Sequence, residues 1–306
     1  MVKKIGACVF CLALFLFFYI ILPRFVIEMN NPVLQVGRKL FRPAATLTHN
    51  QDQLMTYKGF EGLDLTAHIV EPSATRTGSI ILIHGIAGSY RYYDRMVPKL
   101  NALGFQTIAV NLRSHGTSGG EFCTFGVKEH RDIQYLIDTL IAQEQCSDNL
   151  AIWGHSLGGA VALQVMAHDN RILYGIIEST FSDFSSIVLA YQEDYIGFEF
   201  ETMANYLSAR ACDLAEFTEE AASPKNIVPQ IKQPLLLVHG DADEKIDIQH
   251  GYTNYEAIGS IDKRFHIVEG AGHNDVWTVG GEAYWDLVSG FLVESQAKVT
   301  QDSGVE

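Results

Sequence analysis

Leu150-Ala151-Ile152-Trp153-Gly154-His155-Ser156-Leu157-Gly158-Gly159 is the stretch that decides how this chain is read. A short apolar run, sized for a buried strand, stops at Gly154, and a helix-like run from Leu157 to His168 begins just after Ser156. Between them Gly154-His155-Ser156-Leu157-Gly158 has the form G-x-S-x-G, the sharp strand-to-helix turn that lifts a serine hydroxyl above a sheet. Gly154 and Gly158 suit that turn because, lacking Cβ atoms, they let strand and helix approach closely. The pentad alone also arises by chance, so its flanking strand and helix carry the weight of the reading.

Outward from this point the pattern alternates. Upstream, Leu63 to Val70, Ser79 to Ile83 and Gln106 to Asn111 read as strands. Helical spacing runs from Tyr90 to Leu103 and from Val127 to Gln145, where Ile133, Leu136, Ile137, Leu140 and Ile141 share a face. Downstream, Ile172 to Ile177, Pro234 to Val238 and Phe265 to Val268 read as strands, and Glu282 to Val293 as a final helix. Strands alternating with helices imply an α/β fold, with a mostly parallel sheet covered on both faces. Residues 180–230 break the alternation. They form an insertion rich in aromatic and acidic residues, placed so that it can cover Ser156 as a cap lined by Tyr191, Tyr195, Phe198 and Phe200.

A serine nucleophile needs a base, and the base needs an acid to orient it. Asp243 lies just past the strand ending Leu237-Val238-His239-Gly240, and His273 lies in the loop Gly270-Ala271-Gly272-His273-Asn274-Asp275. Both fall at the carboxyl ends of strands, where open α/β sheets build their sites. Asp241, Glu244, Asp247 and Glu178 compete as the acid; His239, His250 and His266 compete as the base, with His239 and His266 read as structural. Negative charge developing on a carbonyl oxygen calls for backbone donors. The amides of Leu157 and, in His84-Gly85-Ile86-Ala87-Gly88, of Ile86 are the expected pair.

Four motifs in this order resemble the α/β-hydrolase superfamily: His84 to Gly88, Asn111-Leu112-Arg113-Ser114-His115-Gly116 with Ser118 and Gly120, the serine pentad, and the Asp243 and His273 loops. The resemblance covers residues 51 to 295. Within the superfamily the chain is similar to membrane-anchored α/β-hydrolase-domain proteins related to monoacylglycerol lipases and serine aminopeptidases. It departs from the common pattern at Asn111, where Asp is frequent. The resemblance implies an α/β-hydrolase fold with a helical cap and a Ser156–His273–Asp243 triad, without metal or cofactor.

The chain has 306 residues, 47% hydrophobic and 19% charged, and a net charge of −14. That suits one large domain and disfavours nucleic acid, which needs a basic surface. Lys3 and Lys4 precede an uncharged run from Ile5 to Leu22. As a helix this run would span roughly 27 Å, about the hydrocarbon thickness of a bilayer. A cleaved signal peptide is the rival reading, but the run is longer than a usual h-region and no A-x-A-like site follows. Basic residues flank both ends, so orientation stays open. Cys8 and Cys11 fall inside the run, and Cys123, Cys146 and Cys212 form no disulfide framework. The expected organisation is an anchor over 1–28, a connector over 29–50, the catalytic domain over 51–295 and a tail over 296–306. The expected activity is hydrolysis of carboxylic esters, lipid or acyl esters foremost. A thioesterase acting on acylated proteins, a serine peptidase and a non-catalytic lipid- or partner-binding domain are the alternatives. The sequence does not fix the oligomeric state.

Overall fold

The computed structural model describes residues 17–30, 53–196 and 200–302. Residues 5–16 of the apolar run, 31–50 of the expected connector and the last four residues lie outside the described residues. Among the described residues, no helix is long and apolar enough to cross a membrane.

Eight strands form one sheet among the described residues: β1 (Gln53–Lys58), β2 (Asp64–Val70), β3 (Gly78–Ile83), β4 (Phe105–Asn111), β5 (Leu150–His155), β6 (Ile172–Glu178), β7 (Leu235–Gly240) and β8 (Lys263–Val268). Their spatial order is β1-β2-β4-β3-β5-β6-β7-β8. β2 runs antiparallel to both β1 and β4, and every later pairing is parallel. The central strands are buried throughout because both faces of the sheet are covered. Alternate residues feed two cores: Ile80, Leu82, Ala151 and Trp153 enter one, while Ile81, Ile83 and Ile152 enter the other.

The helices are α1 (Leu22–Ile27), α2 (Val97–Ala102), α3 (Glu129–Ala142), α4 (Leu157–His168), α5 (Phe184–Ile196), α6 (Glu201–Ala215), α7 (Ile248–Ala257) and α8 (Val276–Asp302). α2 and α8 cover one face; α3, α4 and α7 cover the other. α4 is buried almost all round, as a helix must be when it lies between a sheet and further helices. The insertion after β6 contributes α5, α6 and two 3₁₀ turns.

Several elements differ from the sequence expectation. The helix expected from Tyr90 to Leu103 is a 3₁₀ turn, Tyr90–Tyr93, followed by α2. Pro98 lies in the first turn of α2, where its missing N–H leaves no intrahelical bond unmade. The final helix starts earlier and runs longer than expected, with a break at Gly281, where φ is 54°. β1 and α7 were not expected at all. Leu22 to Met29, counted with the anchor and connector on sequence, pack into the domain: Ile27 and Met29 are buried, and the Cys123 amide donates to the Ile27 carbonyl at 2.8 Å.

Candidate active site

The turn between β5 and α4 is as tight as the sequence implied. A Cβ on Gly154 would lie 2.1 Å from the Gly158 carbonyl oxygen, and one on Gly158 would lie 2.0 Å from that of Ile83. No side chain fits at either position. Ser156 takes φ 56° and ψ −120°, an unusual conformation for a residue with a side chain. The turn is tied down from both sides: the Ser156 amide donates to the Glu178 carbonyl at 2.9 Å, and the Thr180 hydroxyl donates to the Ser156 carbonyl at 2.8 Å. This is the strain at a functional turn that surrounding bonds must hold in place.

Asp243 and His273 come from the next two strand ends. A Cβ on Gly240 would sit 2.1 Å from the Ala271 carbonyl oxygen, so glycine lets the two loops close on each other, and the Ala242 amide donates to that oxygen at 3.0 Å. The result is one hydrogen-bonded line. His273 Nδ1 lies 2.8 Å from Asp243 Oδ2, and His273 Nε2 lies 3.0 Å from Ser156 Oγ. Asp243 Oδ1 accepts from the Lys245 and Ile246 amides at 3.0 and 2.9 Å. Burial acts to raise the Asp243 carboxyl, but hydrogen bonds from His239 and His273 and the Ile246 amide hold it well below the usual carboxylate range. Ionised Asp243 then requires the proton on His273 Nδ1, which leaves Nε2 free to accept the serine proton.

Asp241, Asp247, His250 and Glu178, which compete for these roles on sequence, bond elsewhere. Asp241 Oδ1 accepts from the Gly270 amide at 2.6 Å, and Asp247 caps α7 by accepting from the Gln249 amide at 2.8 Å. His250 Nδ1 bonds the Ser182 hydroxyl at 2.8 Å. Glu178 is fully buried behind the turn, where its Oε1 accepts from Trp277 Nε1 at 2.6 Å and from the Tyr284 hydroxyl. Burial pushes its carboxyl up to about 8, so it is uncharged at neutral pH. His239 is the residue whose place sequence reasoning missed. Its Nε2 donates to the Ile246 carbonyl at 2.8 Å and lies 3.4 Å from Asp243 Oδ2.

Ile86 and Leu157 both border the cavity at Ser156. Among the described residues, neither amide has a backbone acceptor. The Ile86 loop is fixed by His84. This buried ring donates from Nδ1 to the Gly85 carbonyl at 2.7 Å and accepts the Leu112 amide on Nε2 at 3.2 Å. Burial pushes His84 down to about 4, so it stays neutral in that role. Asn111, at the position where Asp is frequent, accepts from the Tyr90 amide at 2.9 Å and donates to Thr66 at 2.9 Å. An ionised aspartate could accept from Tyr90 but could not donate.

The sequence reading expects the serine hydroxyl to be exposed above the sheet; Ser156 is instead buried, only 3% exposed. Phe125, Phe181, Ile187, Tyr191 and Ile246 close over it, leaving a narrow apolar cavity with no room for a water molecule. Tyr191 lines this cavity as expected, but Phe200 does not; it sits at the start of α6 and is 58% exposed. The side chain of Tyr195 and all of Phe198 lie outside the described residues.

Residues 74–180 match the family described as Hydrolase_4, serine aminopeptidase S33. The chain is 28% identical over 198 residues to protein bem46 of Schizosaccharomyces pombe, covering 64% of this chain and 60% of that protein. It is 22% identical over 245 residues to mouse monoglyceride lipase, covering 70% and 80% of the two chains. Its fold is similar to that of an esterase from Pyrococcus furiosus, with a TM-score of 0.68 at 19% identity over 83% of this chain and 96% of that one.

Proposed function

From a chain of the α/β-hydrolase superfamily, we propose a serine hydrolase that cleaves carboxylic esters through an acyl-enzyme while tethered to a membrane by its N-terminal apolar run. The observation that carries this reading is the unbroken line from Ser156 Oγ through His273 to Asp243, ending at the floor of an apolar cavity.

In this mechanism His273 Nε2 takes the Ser156 proton as Oγ attacks the ester carbonyl carbon. Asp243 keeps the imidazole in the right tautomer and stabilises its protonated form. The Ile86 and Leu157 amides donate to the oxygen as it becomes negative, and Leu157 adds the positive end of α4. Protonated His273 gives its proton to the leaving alkoxide, and the alcohol departs. Water, activated by the same ring, then attacks the acyl-serine and frees the acid. No step calls for a metal or cofactor.

The acyl group occupies the cavity between Phe125, Phe181, Ile187 and Tyr191. In the closed form this cleft has no room for even a water molecule. Any acyl group therefore requires α5 to move outward, and a longer one requires a larger movement. The apolar lining favours an acyl ester over a peptide, and mouse monoglyceride lipase is among the similar proteins. A panel of p-nitrophenyl esters, thioesters and aminoacyl amides tests the assignment. Hydrolysis of esters at the highest kcat/KM supports it; a clear preference for aminoacyl amides replaces it with a peptidase.

A further inference from the structure

Phe17–Ile21 forms one π-helical turn that continues directly into α1. This segment lies along α6, the second cap helix. Leu22, Val26, Ile27 and Met29 join the same core as Ala204, Leu207 and Ala211 of α6. The Arg210 guanidinium stands 4.3 Å from the centre of the Tyr19 ring. Arg24 pairs with Glu28 and with Glu121, the latter at 2.7 Å, and the Met29 amide donates to Ser114 Oγ at 3.2 Å. The chain is therefore fastened to the domain from Tyr19 to Met29.

Ile27 bonds Cys123, and the nearby Phe125 and Lys128 meet Phe217 and Glu216, just past the end of α6. Tyr19 meets Arg210, earlier in α6. Tyr19 therefore lies beside the cap helix, and Phe200 at the start of that helix is 58% exposed. Tyr19, Ile20 and Ile21 are themselves 41–46% exposed. The sequence that leads into them, from Ile5 onward, is uncharged and apolar.

We propose that residues 19–29 form a rigid mount that holds the cap against the lipid surface, with Tyr19, Ile20, Ile21 and Phe200 in contact with the bilayer. This rests on the reading of the apolar run as a membrane anchor. An anchor on a slack linker would leave the domain free to face any way. A mount packed on α6 fixes the cap end of the molecule towards the membrane, so the cavity beneath α5 loads from lipid rather than from water. The occupant of the patch is the bilayer interior and not its charged headgroups. The exposed cap residues Glu201, Asp213 and Glu216 are acidic and would be repelled by anionic lipid.

The test uses the full-length chain in phosphatidylcholine vesicles with two substrates, water-soluble p-nitrophenyl acetate and a long-chain fluorogenic ester dissolved in the bilayer. A Gly/Ser insertion of about eight residues between Phe18 and Tyr19 gives the anchor roughly 15 Å of slack and leaves the docked segment intact. Turnover of the bilayer ester should fall by roughly fivefold to tenfold, because orientation is lost while tethering remains. Acetate turnover and vesicle binding should not change. Phe200→Glu should reproduce the selective loss without altering the chain length. Unchanged bilayer-ester turnover in both variants, with vesicle binding intact, overturns the mount but leaves the anchored hydrolase standing. A full-length chain that does not bind vesicles overturns the anchor and the mount together.

Discussion

His239 Nε2 stands 3.4 Å from Asp243 Oδ2, on the same carboxylate oxygen that receives His273 Nδ1 at 2.8 Å. Two histidines thus converge on one acid, one facing the serine and one facing the core. The second ring is fixed by the Ile246 carbonyl, which takes the proton on its Nε2, so the same N–H reaches Asp243 only as a long second contact.

His239→Ala should therefore weaken the acid without removing it. A hydrogen bond to a charged group contributes about 1.5–3 kcal/mol at good geometry, and this contact is long, so kcat should fall by roughly threefold to tenfold with KM little changed. Ionised Asp243 stabilises the fold above its unfolded value of about 3.9, and that contribution is lost as pH falls through its lower folded value. Losing a donor raises the folded value, so the variant should be less stable at neutral pH and begin its acid unfolding at higher pH. Steady-state kinetics and urea unfolding across the acid range check both.

Glu178 should shape stability, not turnover. Between an ordinary value of about 4.3 and its raised value of about 8, the folded protein holds a proton that the unfolded chain releases. Stability should fall as pH rises through that window, by up to about 1.4 kcal/mol per unit. Glu178→Gln should flatten this slope and make the protein more stable than the parent near pH 9, with kcat close to the parent's at neutral pH. Urea midpoints at several pH values measure it. A crippled Glu178→Gln with an active Asp243→Asn would move the acid role to the earlier strand.

Tyr191 should limit acyl length. The parent should favour short esters in solution, because the cavity is small and closed by α5. Tyr191→Ala opens space along the chain path. Each methylene newly buried is worth about 0.8 kcal/mol, nearly fourfold, so the octanoate-to-butyrate ratio of kcat/KM should rise by roughly tenfold. An unchanged ratio would mean that the chain leaves the cavity by another route.

The elements nearest the site were the most legible. Buried parallel strands are continuous apolar runs, so β3 and β5 stand out, and the two glycines around Ser156 mark a turn that tolerates no Cβ. β1 was missed because Gln53, Thr56 and Lys58 interrupt it, and its partner β2 supplies the register. α7 was missed because Gln249, Thr253, Asn254 and Glu256 leave it no apolar stripe; only Gly251 and Asn254 are buried in it. The approach of His239 to Asp243 depends on the loop folding back across four residues, which strand periodicity does not encode. The closed cavity was likewise illegible. An aromatic-rich insertion indicates a cap, but which of its rings turn inward is decided by packing, so Tyr191 lines the cavity while Phe200 does not.

The central claim is that Ser156 is the nucleophile, and fluorophosphonate labelling with the modified residue located by mass spectrometry tests it most directly. The parent should carry the label on Ser156 alone, and Ser156→Ala should take up none. The same variant should lose on the order of 10⁴-fold or more in ester turnover while keeping the parent's unfolding midpoint within about 1 kcal/mol. A pure, folded Ser156→Ala that still hydrolyses esters near the parent rate, or a parent labelled at another residue, would contradict the mechanism.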